Sequence, residues 1–166
     1  MKHTIITIIF LCVSSALIAF AEDTPNAAGL PAGQCTWYAY IRARESGWRI
    51  RFDKPYQRHA ILWWEKVTNS KQIPEPKEGT IMVLEAWKKN PYGHVAYVEK
   101  VLTKNEWVIT HANLSLGRVV KKLSDEQIYQ AKCKRTKDGV IIEGSDQIFL
   151  LRGFLASSKT ELKNRN

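Results

Sequence analysis

The sequence has few cysteines, few acidic residues and little extended apolar sequence. Only three cysteines occur among 166 residues, far below the density of a small secreted domain held together by disulfide bonds. Acidic residues number 16 against 25 lysines and arginines, so the chain carries a net charge of +9. Beyond one N-terminal run, no apolar stretch reaches the roughly 18–20 residues of a membrane-spanning helix. These deficits exclude a disulfide-dense miniprotein and a polytopic membrane protein, and the six tryptophans argue against disorder.

The first 21 residues differ in composition from the rest. Lys2 is their one charged residue, an apolar run follows, and the segment ends in the small-x-small pattern AFA. This layout is typical of a secretory signal peptide, so we expect an exported protein, periplasmic or secreted. The same uncharged run is long enough to remain as an uncleaved membrane anchor. We expect a single domain over residues 22–156, with its core at about 29–155, and a flexible tail over 157–166.

Two cysteines, Cys35 and Cys133, lie outside the predicted signal. In an oxidising compartment two cysteines favour one disulfide, and the competing interpretation is a free nucleophile plus an unrelated buried thiol. For Cys133 its sequence context favours the buried thiol. Neither cysteine belongs to a Cys-x2-Cys pair, and the histidines lack the spacing of metal ligands, so we expect no metal and no cofactor.

Helical patterns come first in the chain, and strand patterns follow. We expect helices over residues 35–45 and 55–68 and a third, short helix over 124–131, which Ser124 can cap. The β-branched and aromatic segments predict strands over residues 80–84, 95–102, 106–110 and 147–155. This order predicts an α+β fold in which N-terminal helices pack on an antiparallel β-sheet.

Three short segments carry residue types that suit nucleophilic catalysis: 33–38 (GQCTWY), 92–96 (YGHVA) and 110–113 (THAN). Cys35 is expected in the first turn of a helix, where the helix dipole lowers a thiol pKa. His94 begins a strand and can serve as the base. His111 and Asn113 are two residues apart and face the same way, so a hairpin through residues 104–105 can bring both toward Cys35.

These segments resemble the CHAP family of cysteine- and histidine-dependent amidohydrolases and peptidases, papain-like enzymes that cut bacterial cell-wall peptides. Residues 33–38 resemble the family's nucleophile turn, 76–83 (PKEGTIMV) its first core strand, and 93–98 (GHVAYV) its histidine strand. The resemblance implies that Cys35 is the nucleophile and His94 the base. It also implies an exported amidase or endopeptidase that hydrolyses amide bonds of peptidoglycan.

The third catalytic position departs from the commonest pattern of the family. Many members have a glutamate there and an asparagine two residues later, whereas this chain has His111 and Asn113. Either side chain can orient His94, and we favour Asn113 because its carbonyl accepts a hydrogen bond without a particular protonation state. The missing glutamate leaves open an inactive wall-binding or adaptor module, and an amidase acting on a substrate other than the wall also stays open.

Other residues are assigned to binding. Gln34 and the backbone N–H of Cys35 are candidate donors to the oxyanion, and Trp87, in a polar loop before His94, is the tryptophan we expect to line a substrate groove. His59 is expected to be solvated or packed. The basic surface suits an anionic partner such as the bacterial wall. We expect a monomer that binds no nucleic acid, because export removes that partner.

Overall fold

The computed structural model describes residues 29–53, 59–123 and 126–158. The predicted signal peptide over residues 1–21 lies outside the described residues, as does the predicted tail from residue 159 onward. Ser157, assigned to that tail from the sequence, is the last residue of the final strand. No helix within the described ranges is long and apolar enough to cross a membrane.

The first helix, α1 (Cys35–Glu45), has the predicted bounds. Ala39 and Ala43, one turn apart, are fully buried on the face that packs against the sheet. The helix ends because Gly47 adopts a left-handed conformation, with φ of 91°, that lets Trp48 N–H donate to the carbonyl of Ala43 at 2.8 Å.

The helix expected over residues 55–68 is much shorter than predicted. A single 3-10 turn (Ala60–Leu62) leads into one turn of α-helix, α2 (Trp63–Lys66), and residues 54–58 lie outside the described part. The chain leaves the helix at Val67, which forms an antiparallel bridge with Phe52. Trp63 is fully buried against Phe52, so tertiary packing ends the helix before its sequence pattern does.

The strands form one antiparallel sheet, in which nine strands lie within the described residues. In chain order they are β1 (Ser70–Ile73), β2 (Ile81–Leu84), β3 (His94–Thr103), β4 (Glu106–Ala112), β5 (Arg118–Leu123), β6 (Glu126–Thr136), β7 (Gly139–Ile142), β8 (Ile148–Phe149) and β9 (Leu151–Ser157). Their spatial order is β1-β9-β2-β3-β4-β6-β7-β8, and β5 pairs with β6. One antiparallel sheet with few helices is an α+β arrangement, as predicted.

The third predicted helix, over residues 124–131, is wrong. From Glu126 onward this segment is strand β6, which pairs with β4 on one side and with β5 and β7 on the other. Ile128, Ala131 and Cys133 are buried against neighbouring strands. These long-range pairings outweigh a weak capping signal at Ser124, which itself lies outside the described residues.

The sheet separates two hydrophobic clusters. Along β3, Val95 and Tyr97 pack in the cluster that includes α1, whereas Ala96 and Val98 pack in the cluster on the opposite face. This alternation is the period of two expected for a strand covered on both sides. Trp107, fully buried in the second cluster, packs edge-on against Phe154 of β9. Helix α1 is therefore held on one defined face of β3 and β4.

Candidate active site

Cys35 is the first residue of α1 and lies over the start of β3. Gln34 precedes it in an extended conformation, and the N–H of Tyr38 donates to the Gln34 carbonyl at 3.0 Å, which closes the first helical turn. The Cys35 thiol interacts with the backbone of Val95, the residue after His94. As an N-terminal helical residue, Cys35 has a backbone N–H without an intrahelical partner.

A charged cluster fixes α1 against the sheet about two turns further along the helix. Arg42 donates two hydrogen bonds to Glu99 Oε1, at 3.0 and 2.9 Å, and one to Oε2 at 2.8 Å. Thr110 of β4 donates to the same carboxylate at 2.5 Å, and the guanidinium lies 4.6 Å from the centre of the Tyr97 ring. The helix that carries Cys35 is thus bonded to Glu99 of β3, and β4 is bonded to the same carboxylate.

A tight turn before β3 sets the position of His94. Gly93 has φ of 70°, and a Cβ atom at this residue would lie 2.7 Å from the carbonyl oxygen of Leu84, so a larger residue does not fit without displacement. The turn is also bonded to the 3-10 segment, where the N–H of Ile61 donates to the Tyr92 carbonyl at 2.9 Å. His94 therefore enters the sheet at a fixed place opposite Leu84 of β2.

His94 and His111 are in direct contact. Strands β3 and β4 form the expected hairpin, which pairs Thr103 with Glu106, and both histidines lie near its open end. Their rings are perpendicular, with His94 Nε2 3.2 Å from His111 Nδ1. Both side chains are buried, with exposed fractions of 1% and 0%.

Asn113 lies just beyond β4 and contacts a different partner. Its Nδ2 donates to Gln34 Oε1 at 2.8 Å, which joins the end of β4 to the residue before the cysteine. Asn113 has φ of 57°, a left-handed conformation that asparagine tolerates better than most residues. The geometry favours His111 over our sequence-based preference, Asn113, as the partner of His94, and it couples Asn113 to Gln34.

Cys35 and His94 open onto one cleft of about 250 Å³. The residues lining it are Pro31, Gln34, Cys35, Thr36, His59, Ala60, Asn90, Tyr92, Gly93, His94 and Asn113. His111 is not among them, because it lies behind His94. At the rim, the exposed rings of His59 and Tyr92 pack with centroids 4.4 Å apart.

Sequence reasoning expected His59 to be solvated or packed and did not assign it to the site, and it did not single out Tyr92 as a binding residue. Tyr92 could have been predicted to lie at the cleft, because it stands next to Gly93 and His94 in the sequence. For His59, only tertiary structure brings the 3-10 segment to the cleft, so no local pattern in the sequence indicates its place.

Burial controls the ionisation of the three central groups. Desolvation raises the pKa of the Cys35 thiol, and favourable contacts with the backbone of Val95, Thr36 and Cys35 offset this only in part. Burial and the neighbouring His111 lower the pKa of His94 well below its usual value. Burial likewise lowers the pKa of His111 to about 4, although the Leu116 backbone favours its protonated form.

This electrostatic result corrects the sequence-based expectation of a lowered thiol pKa. The start of the helix does stabilise a thiolate, but the cost of removing the thiolate from water is larger at this buried position. The resting site therefore contains a neutral thiol next to two neutral imidazoles.

Cys133 is remote from this site. It is fully buried in the cluster on the opposite face of the sheet, beside Trp107, and burial raises the pKa of its thiol. Both Cys35 and Cys133 are free thiols, as the buried-thiol interpretation requires.

Trp87, the tryptophan expected to line a substrate groove, lines a neighbouring groove and not the cleft that Cys35 and His94 share. In the described part of the chain, no three His, Cys, Asp or Glu side chains are grouped so that they could hold a metal ion.

A cysteine at a helix start and a histidine on the same cleft, with a second histidine in contact with the first, are the residue types found in cysteine-histidine hydrolase sites. The chain matches the CHAP domain over residues 25–113, more than half of its length, and it belongs to the CHAP domain family. The matched region ends at Asn113 and includes every residue of the candidate site. The strands from β5 onward lie beyond the match.

Two proteins of Staphylococcus aureus are similar to this chain. One, named "Probable autolysin SsaALP", is 36% identical over 88 residues, which cover 52% of this chain and 31% of that protein. The other, an "N-acetylmuramoyl-L-alanine amidase domain-containing protein", is 33% identical over 98 residues, or 56% of this chain and 15% of that protein. The chain therefore spans less than a third of the length of these relatives.

Proposed function

We propose that this protein is an exported cysteine hydrolase, acting as a monomer, that cleaves an amide bond of bacterial peptidoglycan. Family membership and the names of the two staphylococcal proteins support a hydrolase of the cell wall. The predicted signal over residues 1–21 supports export. The observation that carries the proposal is that Cys35 and His94 line one cleft, while His94 contacts His111 behind it.

Proton transfer starts with the His94 imidazole in its neutral form. Since Nε2 of His94 faces His111, its Nδ1 atom is the one free to accept the Cys35 proton. The thiolate sulfur then attacks the carbonyl carbon of the scissile amide, and His94 holds the proton as an imidazolium. His94 returns this proton to the departing amine nitrogen, which leaves a thioester on Cys35.

Hydrolysis of the thioester uses the same base. Nδ1 of His94 takes a proton from a water molecule, whose oxygen attacks the thioester carbonyl. The C–S bond breaks, the thiolate of Cys35 recovers the proton from His94, and the carboxylic acid product leaves. No co-reactant other than water is required.

His111 acts as a positioning residue in this scheme. For Nδ1 of His94 to be a base, Nε2 of His94 must carry the hydrogen and donate it to an unprotonated Nδ1 of His111. Neutral His111 then carries its own hydrogen on Nε2, a buried atom with no close hydrogen bond among the described residues, although the nearby Leu116 backbone favours a protonated ring. The lowered pKa of His111 keeps its Nδ1 available as an acceptor while His94 becomes positively charged.

Gln34 and the Cys35 backbone N–H are assigned to the oxyanion. Asn113 donates to the Oε1 end of the Gln34 amide, so the Nε2 end of the same amide is left to donate into the cleft. The Cys35 N–H is available from the helix start. Each well-placed donor to an oxyanion contributes roughly 3–4 kcal/mol to transition-state stabilisation.

The test is digestion of purified peptidoglycan sacculi by the reduced protein lacking residues 1–21. We expect soluble muropeptides from the wild type, none above background from Cys35→Ala, and wild-type release from the control Cys133→Ala. Mass spectrometry of the products identifies the scissile bond. Release by Cys35→Ala at the wild-type rate would refute the proposed nucleophile. Sacculus binding without cleavage by any variant would instead identify a binding module.

A further inference from the structure

We propose that a second groove, beside the catalytic cleft, binds a segment of the peptide substrate that carries a free carboxylate. The inference rests on the proposed function, because it assigns the part of the same substrate that extends away from the scissile bond. The groove has a volume of about 400 Å³. The residues lining it are Trp87, Lys89, Asn90, Asn113, Leu114, Leu116, Ser145, Gln147 and Phe149.

The two cavities share a wall. Asn90 and Asn113 line both the groove and the catalytic cleft, so a substrate that passes over these two side chains occupies both. Both asparagines are held in place. Asn90 donates to the Gly93 carbonyl at 2.8 Å and accepts from the Tyr92 N–H at 3.1 Å, and Asn113 donates to Gln34. A peptide in the groove therefore lies against residues that position His94 and Gln34.

The charge of the groove is positive. Among its nine described lining residues Lys89 is the one charged side chain, and no lining residue has a carboxylate. Three side-chain amides and the Ser145 hydroxyl supply further hydrogen-bonding groups. One wall is apolar, with Trp87 packed edge-on against Phe149 at a centroid distance of 5.1 Å. This combination fits a peptide whose free carboxylate contacts Lys89 and whose aliphatic part covers the Trp87 ring.

The turn that carries Lys89 provides a matched control. Trp87 and Asn90 exchange two backbone hydrogen bonds, at 3.0 and 2.8 Å, which close a two-residue turn with Lys88 and Lys89 at its tip. Both lysines are exposed, but Lys88 is not among the residues that line the groove. Substitution of either residue by glutamate changes the net charge equally, and only substitution of Lys89 changes the charge of the groove.

The first experiment measures binding in the inactive Cys35→Ala background. The probes are a synthetic alanyl-γ-glutamyl-lysyl-alanine peptide with the glutamyl α-carboxyl free, and the same peptide with that carboxyl amidated. We expect the free acid to bind about threefold to tenfold more tightly, as for a partly exposed ion pair. Added Lys89→Glu should abolish or reverse this preference, whereas Lys88→Glu should retain it.

The second experiment separates this inference from the proposed function. With the active enzyme and soluble muropeptides, Lys89→Glu is expected to raise KM about threefold to tenfold with little change in kcat, relative to Lys88→Glu. Equal behaviour of the two glutamate variants in both experiments would overturn the groove assignment, even if sacculi are cleaved. A carboxylate preference lost only in Lys89→Glu, without cleavage by the wild type, would support the groove and refute the hydrolase.

Discussion

Two polar clusters lie where α1 packs on β3 and β4, and they differ in charge and in hydrogen bonding. At one end of the helix, Arg42, Glu99 and Thr110 form a charged cluster whose hydrogen bonds are short and numerous. At the other end, His94 and His111 form a fully buried pair with one hydrogen bond between them and an unpartnered Nε2 atom. The first cluster remains partly exposed to solvent.

The difference is the one expected between a structural contact and the proposed catalytic one. Burial lowers the pKa of Arg42, but its hydrogen bonds to Glu99 and Glu45 outweigh that effect and raise the pKa overall, so the charge is stabilised. At the histidine pair no counter-charge is supplied, and burial lowers both pKa values. The charged cluster therefore stabilises the fold, whereas the histidine pair is kept neutral and able to accept a proton.

The strongest test of this comparison replaces one member of each cluster. His94→Asn is expected to lower kcat/KM at least about 1000-fold, because it removes the base, with a smaller loss of stability than truncation to alanine, since most of the buried side-chain volume is kept. Arg42→Met should lower the free energy of unfolding by about 1–3 kcal/mol, because Glu99 loses its charged partner. It should leave kcat of the folded fraction within a few-fold of wild type. Urea unfolding measures the stability of both variants, and kinetics with muropeptides measure their activity. Loss of stability alone in the His94 variant, together with loss of kcat in Arg42→Met, would contradict the comparison.

The next largest effect on activity is expected at His111, where two substitutions separate the loss of side-chain shape from the loss of the hydrogen bond to His94. His111→Leu removes the acceptor for His94, so kcat is expected to fall roughly 10–100-fold, as for other residues that orient a functional histidine. His111→Gln retains an acceptor oxygen and is expected to recover a substantial part of the loss. Steady-state kinetics above pH 7 measure both. Equal losses in the two variants would show that the hydrogen bond to His94 is unimportant.

Asn113 is expected to contribute less, because it acts through Gln34. Asn113→Gly keeps the left-handed backbone, with φ of 57°, and removes the amide that holds Gln34. We expect kcat to fall about threefold to tenfold, since the affected donor acts on the transition state, with a smaller rise in KM because Asn113 also lines the groove. Asn113→Ala adds backbone strain and should also lower the melting temperature. A change confined to KM would instead assign Asn113 to substrate binding.

The last effect is a gradual one, the dependence of stability on pH. In the unfolded chain His111 binds a proton near pH 6.5, whereas in the fold its pKa is about 4. Stability is therefore complete above about pH 6.5 and falls as the pH drops toward 4, by up to roughly 1.4 kcal/mol per pH unit for each such histidine. The free energy of unfolding, measured in urea, should fall less steeply between pH 7 and pH 4.5 for His111→Gln than for wild type. An identical dependence on pH in the two proteins would contradict the conclusion that the folded protein keeps His111 neutral.

The sequence predicts those parts of the molecule that depend on local pattern. Helix α1 has the expected bounds because a helix start, an apolar face and a terminal Gly47 all agree. The hairpin of β3 and β4 follows from two β-rich segments around residues 104–105, and it places His111 next to His94.

Features that depend on distant residues were not predictable in this way. Strand β6 is set by its pairing with strands on both sides, which overrides the helical tendency of residues 124–131. The raised thiol pKa of Cys35 depends on how deeply the helix start is buried, a quantity absent from the local sequence. The partner of Asn113 depends on the fold bringing Gln34 within hydrogen-bond distance.

The position of Cys133 behind the sheet has a consequence for how the protein loses activity. Because the β-sheet lies between Cys133 and Cys35, the described part of the folded chain holds no second thiol with which Cys35 can pair. For the protein without residues 1–21, oxidation of Cys35 is then a second-order process that needs an encounter with an external oxidant, a small disulfide or a second molecule. Its half-life depends on the concentration of those reagents, so dilution into reagent-free buffer preserves the thiol.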